Sequence, residues 1–187
     1  MNTRYLILAA SLAALNLALG KVAATLSLPV YLDTIGTIIA AVMMPWRYAV
    51  CVGVGTSLLA GIIINPVYPF YAGNQFLIAT LAYVFVRFRM FTAWWKAALC
   101  GACLALAAAI AAAPVTVLLF GGVTLSGTTA INAVLMAAGN NIWKAVLTGS
   151  LVIESIDKIA ACLIAWIVLD RLPKEMLNAP KTADDAT

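Results

Sequence analysis

The chain has 187 residues, 65% of them hydrophobic and only 10% charged, whereas a soluble domain is about 45–50% apolar and about 25% charged. That balance excludes a soluble globular enzyme and a disordered regulator. A net charge of +4 from scattered Lys and Arg, without a basic cluster, excludes a nucleic-acid-binding domain.

A membrane helix needs about 20 residues. The chain therefore reads as an all-α integral membrane protein with six transmembrane helices in a single domain over residues 1–172, followed by a short polar tail over 173–187. This leaves no room for a soluble catalytic domain, so no enzyme activity is expected. A β-barrel is excluded because the apolar runs are continuous and lack the period of two of lipid-facing strands.

Charged residues mark the limits of the spans. The first span runs over about 5–28, after Arg4. It has the outline of a signal peptide, but nothing downstream reads as a secreted domain, and it is taken as a span. It carries Ala9, Ala10, Ala13 and Ala14. Small residues four apart make a flat strip that another helix can approach closely. Near the end of this span Lys21 either snorkels to the interface or supplies a cation to a pocket for an anionic or zwitterionic solute.

The second span, about 30–44, is entered through Pro29, left at Pro45-Trp46-Arg47, and short for a full crossing. Asp33 with Thr34 is predicted to cap its helix. The uncharged stretch 48–86 is too long for one span. It is broken at Asn65-Pro66-Val67-Tyr68-Pro69, where two prolines remove donors and forbid continuous helix, giving a third and a fourth span.

That turn continues as Phe70-Tyr71-Ala72-Gly73-Asn74-Gln75. Stacking rings with fixed amides suit a pocket for a small ring-bearing molecule. An aromatic interface belt accounts for Tyr68 and Phe70 but less well for Asn74 and Gln75.

The fifth span starts near 97 and ends near Phe120, before Gly121-Gly122 and a Ser/Thr/Gly-rich segment reaching Thr129. The sixth covers about 141–169. Asn140, Asn141, Trp143 and Lys144 at its start form a second polar and aromatic group, with Asn132 just before it. Deeper in this span lies Glu154-Ser155-Ile156-Asp157-Lys158. An ionisable residue inside a span costs a few kcal/mol or more and is a functional candidate by default. Glu154 and Lys158 are i and i+4 and can pair on one face, as a structural lock or as part of a site; Asp157 reads as structural.

No cofactor or metal is expected. There is no G-x-x-x-x-G-K-[ST] phosphate loop and no His, and Cys51, Cys100, Cys103 and Cys162 lie within apolar spans as packing residues.

Orientation follows the excess of Lys and Arg on the cytoplasmic side. With both termini cytoplasmic, only Lys21, Lys144 and Lys158 of the 11 basic residues escape the inside, and Trp46, Trp94 and Trp95 fall at the inner boundary. The outer face is left with the amides and tyrosines. The candidate solute contacts are thus Lys21, Tyr68, Tyr71, Asn74, Gln75, Asn132, Asn140, Asn141, Trp143, Lys144 and Glu154.

Four features in this order carry a family resemblance. They are the alanine strip, the re-entry Leu28-Pro29-Val30-Tyr31-Leu32-Asp33-Thr34-Ile35-Gly36-Thr37-Ile38, the Pro45-Trp46 connection followed by Gly53-Val54-Gly55, and the Glu154…Asp157-Lys158 helix. Over nearly its whole length the chain resembles the substrate-binding (S) component of energy-coupling factor (ECF) transporters, small six-helix membrane proteins that capture vitamins and other micronutrients. The resemblance implies a multi-pass protein of the bacterial inner (plasma) membrane. Ala9, Ala10, Ala13 and Ala14 would dock on a membrane scaffold protein coupled to two cytoplasmic ATPases. A vitamin-like solute would be held at the outer face, capped by the segments around 21–33, 65–75 and 121–141. Two rival readings are a solitary ion- or proton-coupled transporter using Glu154, Asp157 and Lys158, and a membrane sensory or scaffold module. No inverted repeat is visible to support the first rival, and the outer amides and rings are unneeded by the second.

Overall fold

The structure, a computed structural model, describes residues 3–26, 28–124 and 127–171, and every regular element among them is helical. In chain order these are α1 (Thr3–Thr25), α2 (Ile35–Met43), α3 (Trp46–Ile63), a 3-10 turn (Tyr68–Tyr71), α4 (Ala72–Arg87), α5 (Trp94–Phe120), α6 (Gly127–Ala137) and α7 (Ile142–Arg171).

Among the described residues four helical stretches are long and apolar enough to cross a membrane: α1, α3, the turn with α4, and α5. They mark the chain as membrane-embedded. The longest helix, α7 with 30 residues, is unbroken, but its internal charges divide its apolar run. Two elements differ from the sequence expectation. The second span is a helix of only 9 residues, because residues 28–33 approach it without regular helix. The 11-residue α6 lies where the composition suggested a connection.

The helices alternate in direction. Tyr5 of α1 meets Tyr48 of α3 with ring centroids 5.2 Å apart, while Lys21, near the other end of α1, reaches Ile63 at the end of α3. α5 and α7 run antiparallel, with Gly101 against Ile159 and Gly122 against Ile142. One end of the bundle therefore gathers Arg4, Arg47, Arg87, Arg89 and Arg171; the opposite end holds Lys21, the 3-10 turn and the start of α7.

Close backbone approach holds the bundle together, as it does where lipid removes the hydrophobic drive between helices. A Cβ on Gly101 would collide with the α7 backbone at Lys158 and Ile159, and one on Gly36 would collide with Leu12 O of α1. Beside Gly36, the fully buried Asn16 knits three helices. Its Oδ1 accepts Gly36 N–H at 2.6 Å, and its Nδ2 donates to Thr37 Oγ1 at 3.0 Å and Thr56 Oγ1 at 3.3 Å. The first of these bonds satisfies a free N–H in the opening turn of α2.

Candidate functional site

At the end away from the arginines the helices part around a cavity of about 750 Å³, within the range of small-molecule sites. Every helix except α2 contributes to its walls. α1 gives Gly20, Lys21 and Ala24, and the segment after it gives Tyr31 and Asp33. α3 gives Ser57, the turn gives Tyr68 and Tyr71, and α4 gives Asn74 and Gln75. α5 gives Ala112 and Thr116, α6 Ala130 and Ile131, and α7 Ser150, Glu154 and Lys158.

Local chemistry sets these walls. Asn65 Oδ1 accepts Val67 N–H at 3.0 Å, a side-chain turn of the kind Asn favours. Ser57 Oγ then donates to Tyr68 O at 2.6 Å, anchoring the turn to α3. Tyr71 pairs its hydroxyl with Thr116 Oγ1 at 2.7 Å and stacks on Phe120 at 6.3 Å. Small residues at Ala112 and Ala130 leave the interior open. Glu154 lies twelve residues into α7, about 18 Å along its axis, so the cavity reaches well into the bundle.

The floor is charged. Lys158 Nζ donates to Asp157 Oδ2 at 2.6 Å and lies 3.1 Å from Glu154 Oε2. The Glu154 contact has ion-pair distance without hydrogen-bond alignment, so this oxygen keeps acceptor capacity. Asp157 also reaches across to the segment before α2, its Oδ1 accepting Tyr31 N–H at 3.0 Å and Leu32 N–H at 2.7 Å. Leu32 has φ 54°, a left-handed conformation costly for a side chain bearing a Cβ, and the carboxylate holds it there. Asp33 corrects the capping expectation. The residue heading α2 is Thr34, without a side-chain cap bond, and Asp33 Oδ2 instead accepts Gln75 Nε2 at 3.1 Å across the cavity wall.

Of the sequence candidates, the fold brings Lys21, Tyr68, Tyr71, Asn74, Gln75 and Glu154 to one cavity. Asn132, Asn140, Asn141, Trp143 and Lys144 are not on its walls. Asn132 is buried against Gly149 and donates to Gly122 O at 3.1 Å. Asn140 donates to Leu135 O at 3.0 Å at the end of α6, and Asn141 accepts Trp143 N–H at 3.0 Å at the start of α7. These amides serve helix ends. Lys144 is exposed, because the first turns of α7 bury the face through Ala145, Val146, Gly149 and Ser150.

Sequence reasoning passed over Tyr31, Ser57, Thr116 and Ser150 as wall residues, and took Asp33 for a cap. Each stands alone in an apolar or loop context, and only packing aims it inward. In the first helix Ala9 and Ala13 lean on the core, whereas Ala10 and Ala14 face outward.

No family model matches the chain, and neither curated proteins nor solved structures give a match.

Proposed function

We propose that the chain is the substrate-binding component of an ECF-type importer, capturing a small vitamin-like solute in the cavity between α1, the 3-10 turn and α7. In this reading α1, the 28–44 segment with α2, α3, α4, α5 and α7 make six crossings of a bacterial plasma membrane, with α6 lying against α7. The arginine-rich end faces the cytoplasm with both termini, and the cavity faces outward. A scaffold membrane protein and two ATPases drive release, the scaffold docking on the first helix at the Ala9, Ala10, Ala13 and Ala14 strip.

The observation that carries this reading is the cavity of about 750 Å³ at the end opposite the arginines, walled by tyrosines, amides and buried charges. Such a mixture of stacking surface and a few fixed polar groups suits a ring-bearing solute. A second reading, a solitary proton- or ion-coupled transporter, draws on the carboxylates around Lys158 in mid-helix. Mass spectrometry of small molecules copurifying with the detergent-solubilised protein tests the first. A defined solute retained by the parent and lost in Tyr68→Ala supports it. No retained solute, together with uptake by vesicles holding this chain alone and driven by an ion gradient, overturns it in favour of the second.

A further inference from the structure

We infer that the solute of this cavity is an organic cation, a protonated amine, amidinium or cationic nitrogen heterocycle carrying N–H donors. The inference rests on reading the cavity as a solute site.

Charge is the first support. Asp33, Glu154 and Asp157 gather around a single ammonium, Lys158, an excess of two acidic groups deep in the bundle. Lys21 at the cavity rim, with one of its three N–H donors on Ile63 O at 3.2 Å in the last turn of α3, reduces that excess to one. An unbalanced carboxyl group inside a membrane protein is costly to ionise; an entering cation stabilises its charged form, whereas an entering anion opposes it.

Hydrogen bonding supports the same sign independently. Gln75 is 5% exposed. Its Nε2 faces Asp33, which fixes the amide orientation because a carboxylate accepts, and its Oε1 has no partner. Asn74 Oδ1 is likewise unpaired, and Glu154 Oε2 lacks an aligned donor. Among the described residues, every buried side-chain nitrogen or oxygen of the wall without a hydrogen bond is thus an oxygen able to accept. A solute rich in donors satisfies them; one bearing only acceptors leaves them orphaned.

The test uses the full-length protein in detergent and three probes of equal ring and size: benzamidinium, benzamide and benzoate. Benzamidinium is expected to bind saturably by calorimetry, with affinity falling on the order of tenfold or more in Glu154→Gln and in Asp33→Asn. Asp33→Asn keeps an acceptor for Gln75, and an unchanged elution profile with a single cooperative unliganded melting transition shows that both variants fold. If benzamide or benzoate binds as tightly and Tyr68→Ala abolishes that binding, the charge inference is overturned while the solute site stands. If benzamidinium is indifferent to both carboxylate substitutions, or none of the three probes binds, the inference is overturned, and the solute site then rests on the copurification experiment alone.

Discussion

Lys158 is 2% exposed and shares its ammonium between Asp157 at 2.6 Å and Glu154 at 3.1 Å, so the three residues respond unequally to substitution. Lys158→Met leaves the carboxylates facing one another and is expected to lower stability by about 3–5 kcal/mol. Glu154→Gln leaves Lys158 paired with Asp157 and is expected to lower it by about 1 kcal/mol or less. Melting temperatures of the purified variants check the order, and a Glu154→Gln as damaging as Lys158→Met would contradict it. The i, i+4 spacing made the Glu154 and Lys158 pair legible in the sequence. Asp157 was legible as structural, yet its partners were not, because Tyr31 and Leu32 lie more than a hundred residues away in the chain. Asn16 escaped sequence reading altogether, as one amide among apolar neighbours. With its buried bonds to Gly36, Thr37 and Thr56, Asn16→Leu is expected to lower stability by about 1–3 kcal/mol, read as a lower melting temperature.

The elements are held by contacts too close for a side chain. A Cβ on Gly36 meets the backbone of α1, whereas one on Gly55 meets nothing within 4 Å. Gly36→Ala is therefore expected to lose about 1–3 kcal/mol through forced separation of α1 and α2. Gly55→Ala, in the middle of α3, is expected to gain about 0.5–1 kcal/mol from helix propensity. Thermal unfolding of the pair in one detergent checks both signs. Long uncharged runs made α1, α3, α4 and α5 legible, and the prolines at 66 and 69 placed the break between α3 and α4. The short α6 was not legible, since its Gly-Thr-Thr opening reads locally as a connection and its helix is completed by packing on α7. The start of α2 was blurred for the opposite reason: residues 30–32 are apolar enough for a span, but the backbone N–H groups of Tyr31 and Leu32 are drawn to Asp157.

For the molecule as a whole, the proposed docking strip divides into two kinds of position. Ala10 and Ala14 face outward on α1, while Ala9 and Ala13 pack against the core. Ala14→Leu is expected to leave the melting temperature of the isolated protein within about ±0.5 kcal/mol of stability, yet to abolish solute uptake in cells carrying the partner subunits. Ala13→Leu is expected to overpack the core and lower stability by about 1–3 kcal/mol. Equal loss of stability in both would assign the strip to internal packing alone. Orientation is testable at the same scale. A fluorescent protein fused after the last residue is expected to mature, and a phosphatase fused there to stay inactive, if the arginine-rich end faces the cytoplasm as proposed; the reverse pattern contradicts the proposed topology.

Composition and spacing alone determined that the chain is helical and membrane-embedded, where its long helices run, and which charges sit inside them. Those properties depend on transfer of side chains from water to lipid and on neighbours within a few residues. The tertiary structure decided that Tyr31, Asp33, Ser57, Gln75, Thr116 and Glu154 share one cavity. It also decided that Asn140, Asn141 and Lys144 stand apart from that cavity, and that Asp157 ties the α7 floor to the chain before α2. Which face of each helix turns inward is set by contacts between distant segments, and those contacts follow from close approach at Gly36 and Gly101 and from the network around Asn16, none of which has a local signature in the sequence.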